Sequence, residues 1–362
     1  MLLAEASSTH RLSHDAARPL RVLVVTGIYP TLAAPHLGTF VKNEVDSLVA
    51  AGVEVAVIHP NPGPVPLRYA AAAIAVLRKA RAGRFDVVHG YYGQWCALAR
   101  LQWTTPVVAS FLGSDLLGVY TAGGSFDKVG GLVERLSRWL CHHVDAVIVM
   151  SDEMRRAVSA RRTFVIPQGV DFELFRPIPQ SEARATLGWA QDGYFVLFGN
   201  NPRIAVKNYP LAQAAIQHLR ARGISAELVV ASGLPQTQVV QYLNASNALI
   251  LPSMSEGSPC VVKEAMACNV PVVATDVGDV AQVIGRTQGC YVCPQDADAL
   301  ASALELALRH PGRTTGRADV SHLERSAIAR QIVGVYEQVC VGSERQHGSS
   351  AAGRTGRHAQ AS

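Results

Sequence analysis

The sequence predicts an α/β protein of two doubly wound domains, set in tandem around a cleft, each a parallel sheet with helices on both faces. Three observations carry this. Short runs rich in β-branched residues recur along the chain, six between residues 21 and 167 and five between 194 and 293. Most are apolar at consecutive positions, as in strands buried on both faces. The stretch PQGVDFELFRPIPQS, residues 167–181, breaks the rhythm with prolines and polar residues and reads as the domain linker.

In the first half, RVLVVTG (21–27) is followed by PHLGTFVKNEV, in which Gly38 opens the first helix. VEVAVIH (53–59) is the next strand, and YAAAAIAVL (69–77) is a helix amid Arg68, Arg78, Lys79, Arg81 and Arg84. DVVHG (86–90) carries His89 at its end, and PVVAS (106–110) runs into FLGSD, which ends in Asp115. Ligands of such sheets bind beyond the carboxyl ends of the strands, so His89 and Asp115 are expected to face the cleft; for His89 a structural hydrogen bond is the open alternative to an acceptor-side role. KVGGLVERLSRWLCHHV (128–144) is a second basic helix, with Lys128, Arg135, Arg138, His142 and His143. AVIVM (146–150) and TFVIP (163–167) complete the first set of strands. Basic amphipathic helices of this kind can lie on anionic lipid or be ordinary solvated faces.

In the second half, YFVLFG (194–199) precedes a loop holding Arg203 and Lys207, and AELVVAS (226–232), ALILP (248–252), PVVAT (271–275) and CYVC (290–293) follow. The most informative stretch is SEGSPCVVKEAMACNVPVV, residues 255–273. The spacing predicts a helix over PCVVKEAMAC, with Pro259 at its first position, Ser258 as N-cap and Gly257 in the turn before it. Its free amides and dipole would attract an anion such as a phosphate. Glu256 before the helix and Glu264 inside it are about 10 Å apart by helical rise. That separation suits two ends of one extended ligand, each carboxylate accepting from vicinal hydroxyls, better than a carboxylate pair sharing a proton. The blander alternative is open: Val261, Val262, Ala265 and Met266 form the buried stripe, and Glu264, off it, would be solvated.

Composition narrows the class. The chain has 362 residues, 49% hydrophobic and 17% charged, with a net charge of +5 that falls partly in the tail ERQHGSSAAGRTGRHAQAS. This argues against a dedicated nucleic-acid binder and fits an acidic small substrate or an anionic membrane surface. The first residues lack the apolar core of a secretory signal, and the run at 69–77 falls short of the roughly 20 residues a membrane span needs, so a cytoplasmic or peripheral protein is expected. Seven cysteines without a framework imply a reducing compartment. Cys290 and Cys293 have CxxC spacing without a second pair, and read as ordinary strand thiols.

The pattern from Pro252 to Gly278, PSMSEGSPCVVKEAMACNVPVVATDVG, resembles the E-x7-E donor-site motif of retaining GT-B glycosyltransferases of the family 4 class. The variant EGSPCVVKEAMACN is similar to the bacterial branch associated with capsule, exopolysaccharide and teichuronic-acid-type polymers. The resemblance runs from about Arg21 to Tyr336 and includes GIYPTLAAPHLGTFVKNEV, DVVHGYYG, FLGSDLLG, VIPQGVDFELFRP and FGNNPRIAVKN. It implies a GT-B fold of two Rossmann-like domains: an acceptor-side domain at 21–170, a nucleotide-sugar domain at 171–322, and a C-terminal helix at 323–343 crossing back to the first. Residues 1–20 and 344–362 are read as disordered.

By the same resemblance, Glu264 would hold the nucleotide ribose and Glu256 the donor sugar. Gly257, Ser258, Pro259 and Cys260 would line the sugar and diphosphate. Arg203 and Lys207 would meet the charge of the leaving diphosphate in place of a metal. Gly38, His89 and Asp115 would serve the acceptor side or the diphosphate loop. The expected substrates are a nucleotide sugar and a glycan or lipid-linked acceptor, with no separate cofactor. A sugar-nucleotide epimerase, a non-catalytic sugar-nucleotide-binding subunit and a glycan phosphorylase are the competing readings. Leu112 stands where many members have histidine, Asn269 replaces a common glycine, Asp279 the second glycine of a pair, and Gln282 a frequent glutamate. Arg203 lies four residues before Lys207 where five is commoner, and the short span between AELVVAS and ALILP suggests a missing strand.

Overall fold

A computed structural model gives the fold; it describes residues 18–355 except 33, 35–36, 61–62, 84, 119–127 and 161, with no side-chain description at 128–129 and 343–355. The first sheet contains β1 (Arg21–Val25), β2 (Glu54–Ile58), β3 (Val87–Tyr91), β4 (Val107–Ser110), β5 (Ala146–Val149) and β6 (Thr163–Val165), ordered β2-β1-β3-β4-β5-β6. The second contains β7 (Tyr194–Phe198), β8 (Ala226–Val230), β9 (Ala248–Leu251), β10 (Val272–Thr275) and β11 (Tyr291–Cys293), ordered β11-β10-β9-β7-β8. Every pairing is parallel; Val24 lies opposite His89 in one sheet and Leu197 opposite Leu249 in the other. Helices between successive strands cover both faces, which is why Val22 to Val25 and Leu249 to Leu251 are fully buried. Each such side chain contributes about 1.5–3 kcal/mol on removal from water.

The strand order reverses between β1 and β3 and again between β7 and β9. Crevices open at such reversals, beyond the carboxyl ends of the strands. The loop carrying Lys207 leaves β7 and the turn carrying Glu256 leaves β9, so these two segments flank the second crevice.

Two crossings join the domains side by side. Val170 of the linker forms a parallel bridge with Glu324, and Asp171 pairs with Arg325 at 2.6 Å. A Cβ on Gly169 would lie 2.9 Å from the Arg325 Cα, so glycine is required for this approach. The C-terminal helix spans Arg325–Thr355 and packs on the helix Thr39–Ala50 of the first domain. It therefore extends past the expected end at 343 through much of the stretch read as a disordered tail; residues 356–362 and 1–17 lie outside the described residues. The Cys290 thiol contacts the Met266 sulfur at 3.6 Å and the Cys340 thiol the Asp86 carbonyl at 3.8 Å.

A buried polar cluster ties the C-terminal helix to the first sheet. His89 on β3 is fully buried, with Nδ1 hydrogen-bonded to the Tyr336 hydroxyl and Nε2 to the Ser110 hydroxyl, both at 2.7 Å. Next to it, the Tyr91 hydroxyl donates to Glu44 Oε1 at 2.5 Å, and Gln168 donates to Glu44 Oε2 at 3.3 Å. Desolvation pushes Glu44 up to about 7, against those two hydrogen bonds. Because its folded pKa exceeds the unfolded value, stability from this group falls as pH rises from the normal carboxylate range to about 7. Glu44→Gln should match the parent near pH 5 and exceed its stability by on the order of 2 kcal/mol at pH 8. Thermal or denaturant melts across that range check this, and a pH-independent difference would contradict it.

Candidate active site

The turn after β9 is built around Glu256. The Ser253 hydroxyl donates to its Oε1 at 2.8 Å, and Lys207 Nζ reaches both carboxylate oxygens at 2.7 and 2.8 Å. Lys207 closes the short 3-10 helix Ala205–Lys207, and the Met254 amide donates to the Val206 carbonyl at 2.8 Å, so backbone as well as charge joins the two segments. The Lys207 and Glu256 side chains are 20% and 10% exposed, enclosed enough for the pair to persist yet open at one end. Arg203, by contrast, is exposed; its amide caps onto Asn201 at 2.9 Å, and among the described residues its guanidinium makes no hydrogen bond or ion pair.

The helix after the turn spans Cys260–Ala267. Its N-cap is Pro259, one residue later than the sequence implied, and no side chain caps it. Ser258 is not the cap because its hydroxyl is engaged elsewhere: it donates to Asp279 Oδ2 at 2.7 Å and accepts from Lys263. Cys260, first in the helix, has its thiol pushed up to about 12 by desolvation, with nearby Glu264 adding to the shift, so it is neutral. Glu264 is half-buried rather than solvated, and desolvation pushes it up to about 7 despite a hydrogen bond from Gln236. Gln236 in turn accepts from Asn43 Nδ2 at 3.1 Å, a contact across the cleft.

The first domain meets this turn through the loop after β4. Gly113 has φ 135°, and a Cβ there would lie 3.0 Å from the Gly257 amide nitrogen. A Cβ on Gly257 would press into the Leu112 carbonyl oxygen, and one on Gly278 (φ 60°) would come within 2.6 Å of the Gly257 carbonyl oxygen. Asp115 fixes that loop. Its Oδ1 accepts from the Leu112 and Gly113 amides and its Oδ2 from the Gly93 amide, all at 3.0 Å. It is fully buried and pushed up to about 6 by desolvation, which the backbone hydrogen bonds oppose. The expectation that Asp115 faces the cleft is therefore corrected: its carboxylate is buried under the loop and shapes the cleft wall only by holding the backbone. His89 is turned inward, its two nitrogens both engaged, so the expectation that it faces the cleft is corrected and the alternative of a structural hydrogen bond holds: Tyr336, from far along the chain, covers it. Gly38, at φ 73°, precedes the helix Thr39–Ala50, and a Cβ would sit 2.6 Å from the Ile28 carbonyl carbon.

The unusual residues have local reasons. Asn269 holds φ 57°, a left-handed position usually given to glycine, and its side chain accepts from the Arg317 amide at 2.8 Å. Gln282 donates to Asp152 at 3.3 Å and the Gly278 amide to Glu153 at 3.2 Å, both across the domain boundary. Sequence reasoning missed Lys263. It is fully buried and pairs with Asp279 at 2.9 Å. The signal was a lysine inside an apolar helical stripe together with an aspartate in place of a glycine.

Residues 16–174 match the family model described as Glycosyltransferase Family 4, and residues 182–310 match the model described as Glycosyl transferases group 1. The chain is 26% identical over 350 residues to TuaC of Bacillus subtilis (strain 168), a protein whose name assigns it to teichuronic acid biosynthesis as a glycosyltransferase, with 79% of this chain and 88% of that one covered. It is 28% identical over 311 residues to a D-inositol 3-phosphate glycosyltransferase of Mycobacterium leprae (strain Br4923), covering 71% and 70% of the two. Among solved structures, sucrose-phosphate synthase from Thermosynechococcus elongatus superposes with a TM-score of 0.70 at 20% identity, over 90% of this chain and all of that one. Anabaena HepE, in complex with UDP and glucose, superposes with a TM-score of 0.65 at 16% identity, over 88% and 100%. Two adjoining family models that account for both domains, on a fold of two facing parallel sheets, make this chain a glycosyltransferase of the GT-B type, group 1/family 4.

Proposed function

We propose that the chain is a retaining glycosyltransferase that moves a sugar from a nucleoside-diphosphate sugar to a glycan or lipid-linked glycan in bacterial surface polysaccharide synthesis. The observation that carries this reading is the placement of Glu256 in the turn after β9 and Glu264 about one turn into the helix that follows, with Lys207 against the first of them. The TuaC likeness supports the polymer class. In this reading Glu264 accepts from the ribose hydroxyls, exchanging its hydrogen bond with Gln236 for them. The amides of Gly257, Ser258 and Cys260 face the diphosphate. Glu256 positions the sugar. Lys207, held against Glu256, meets the negative charge that grows on the departing diphosphate, a task for a preorganised cation, and Arg203 in the exposed loop before it supplies a second positive charge. The acceptor oxygen bonds to the anomeric carbon from the face the diphosphate leaves, the bond from that carbon to the phosphate oxygen breaks, and the leaving oxygen takes the acceptor's proton. Configuration is retained.

Incubation with a panel of nucleotide sugars, with and without lipid-linked acceptors, tests the function through release of nucleoside diphosphate. Acceptor-dependent release that persists in excess chelator is expected; interconversion of the sugar without release would identify an epimerase, and binding without turnover a non-catalytic subunit. Lys207→Ala should lower turnover more than it raises the donor KM, as for charge stabilised mainly in the transition state. Normal turnover with only a KM defect would count against that role.

The same reading places the first domain against an anionic membrane surface. The helix Val65–Arg81 exposes Val65, Leu67 and Ile74 beside Arg78, Lys79 and Arg81, and the helix Lys128–Leu140 exposes Leu132 and Trp139 beside Arg135 and Arg138. Both pack on the helix Gly93–Ala99, so they share one face of the sheet; Arg84 lies outside the described residues. Among the described residues no helix is long and apolar enough to cross a membrane. Each basic residue near such a surface contributes about 1 kcal/mol. Sedimentation should show binding to anionic vesicles that fades with salt, and equal weak binding to anionic and neutral vesicles would remove this part of the proposal.

A further inference from the structure

Lys263 lies in the helix Cys260–Ala267 with none of its surface exposed. Desolvating an ammonium costs several kcal/mol unless its protons are met by well-placed acceptors. Here they are met in full. Lys263 Nζ donates to Asp279 Oδ2 at 2.9 Å, to the Gln168 carbonyl oxygen at 3.2 Å and to the Ser258 hydroxyl. An ammonium has three protons, and three acceptors are present.

Those acceptors come from three separate segments. Ser258 belongs to the turn after β9, Asp279 to the loop after β10, and Gln168 to the start of the interdomain linker. Ser258 closes the arrangement by donating to Asp279 Oδ2 at 2.7 Å. The linker end is held in turn, since the Gln168 side chain donates to Glu44 of the first domain at 3.3 Å. We infer that Lys263 is a positioning residue, which fixes the Gly257–Ser258 turn to the domain linker through Asp279, Ser258 and Gln168 and so aims the turn's amides into the cleft. The geometry also gives Asp279 its reason: only an anion at that position leaves the buried lysine neutralised.

The consequence for the turn does not depend on the transferase reading; only the consequence for turnover does. A plain structural ion pair predicts that replacing both charges with apolar residues restores a normal protein, since such replacements are often neutral or stabilising. A positioning role predicts that the fold survives while the turn loosens. The test is amide hydrogen exchange of residues 256–262 in two variants, Lys263→Met/Asp279→Leu and Ser258→Ala. The second leaves the ion pair intact, removes only its link to the turn, and serves even where the double variant does not fold. Exchange at Gly257, Ser258 or its replacement, and Cys260 should rise about tenfold or more, with the sheets protected as in the parent. Parental exchange of the turn in Ser258→Ala, or an increase spread evenly over the second domain, would overturn the inference. Turnover on the nucleotide sugar that the parent uses should fall in both variants. A parent without sugar transfer would sink the functional reading while the exchange result still decided the role of Lys263.

Discussion

Backbone rests on backbone where the two domains meet, and the candidate site depends on that contact. Gly113 of the first domain, Gly257 of the turn after β9 and Gly278 after β10 lie in succession, and a Cβ on any of them would enter the neighbouring main chain. Such an approach leaves no room for adjustment by side-chain rotation. The segments must be held from behind, and each is. Asp115 grips the first through three amides. Lys263, Asp279 and Ser258 grip the other two. These buried charges thus serve the shape of the cleft, even though they lie outside the groups that would touch a ligand.

Inside the cleft the electrostatics are of a different kind. Glu256 is satisfied by Lys207 and Ser253, and Glu264 by Gln236. A ligand gains only what it offers beyond these internal partners. A sugar hydroxyl at Glu256 and a phosphate at Lys207 would divide the present ion pair between two groups of one molecule. Ribose hydroxyls at Glu264 would favour its ionised form, which desolvation now holds back to about 7. Because Gln236 also bonds Asn43 on the opposite domain, exchange at Glu264 is connected to the contact across the cleft.

Much of the fold was legible in the sequence. All the strands follow from short β-branched runs, and the cleft follows from parallel order and the proline-rich linker. That the segments carrying Lys207 and Glu256 meet was legible too, because residues just after a strand in this architecture converge at the crevice, and the two side chains pair there. What was not legible is pairing over long separations. His89 is 247 residues from Tyr336, and nothing local foretells that the C-terminal helix covers it. Ser258 has the composition of an N-cap, but Lys263 and Asp279 take its hydroxyl and Pro259 occupies the cap. Glu264 sits off the apolar stripe of its own helix, and Gln236 from another helix covers it. Asn269 looked like a lost glycine; its left-handed backbone is retained, at a residue type that tolerates it.

In the proposed function, Glu264 marks the nucleoside end of the bound donor. Titration calorimetry of a nucleoside diphosphate into the parent and Glu264→Ala measures it directly. Losing hydrogen bonds to two ribose hydroxyls costs about 1–3 kcal/mol, so Glu264→Ala should raise Kd about 5- to 150-fold with the fold unchanged. Equal affinity in the two proteins would contradict it.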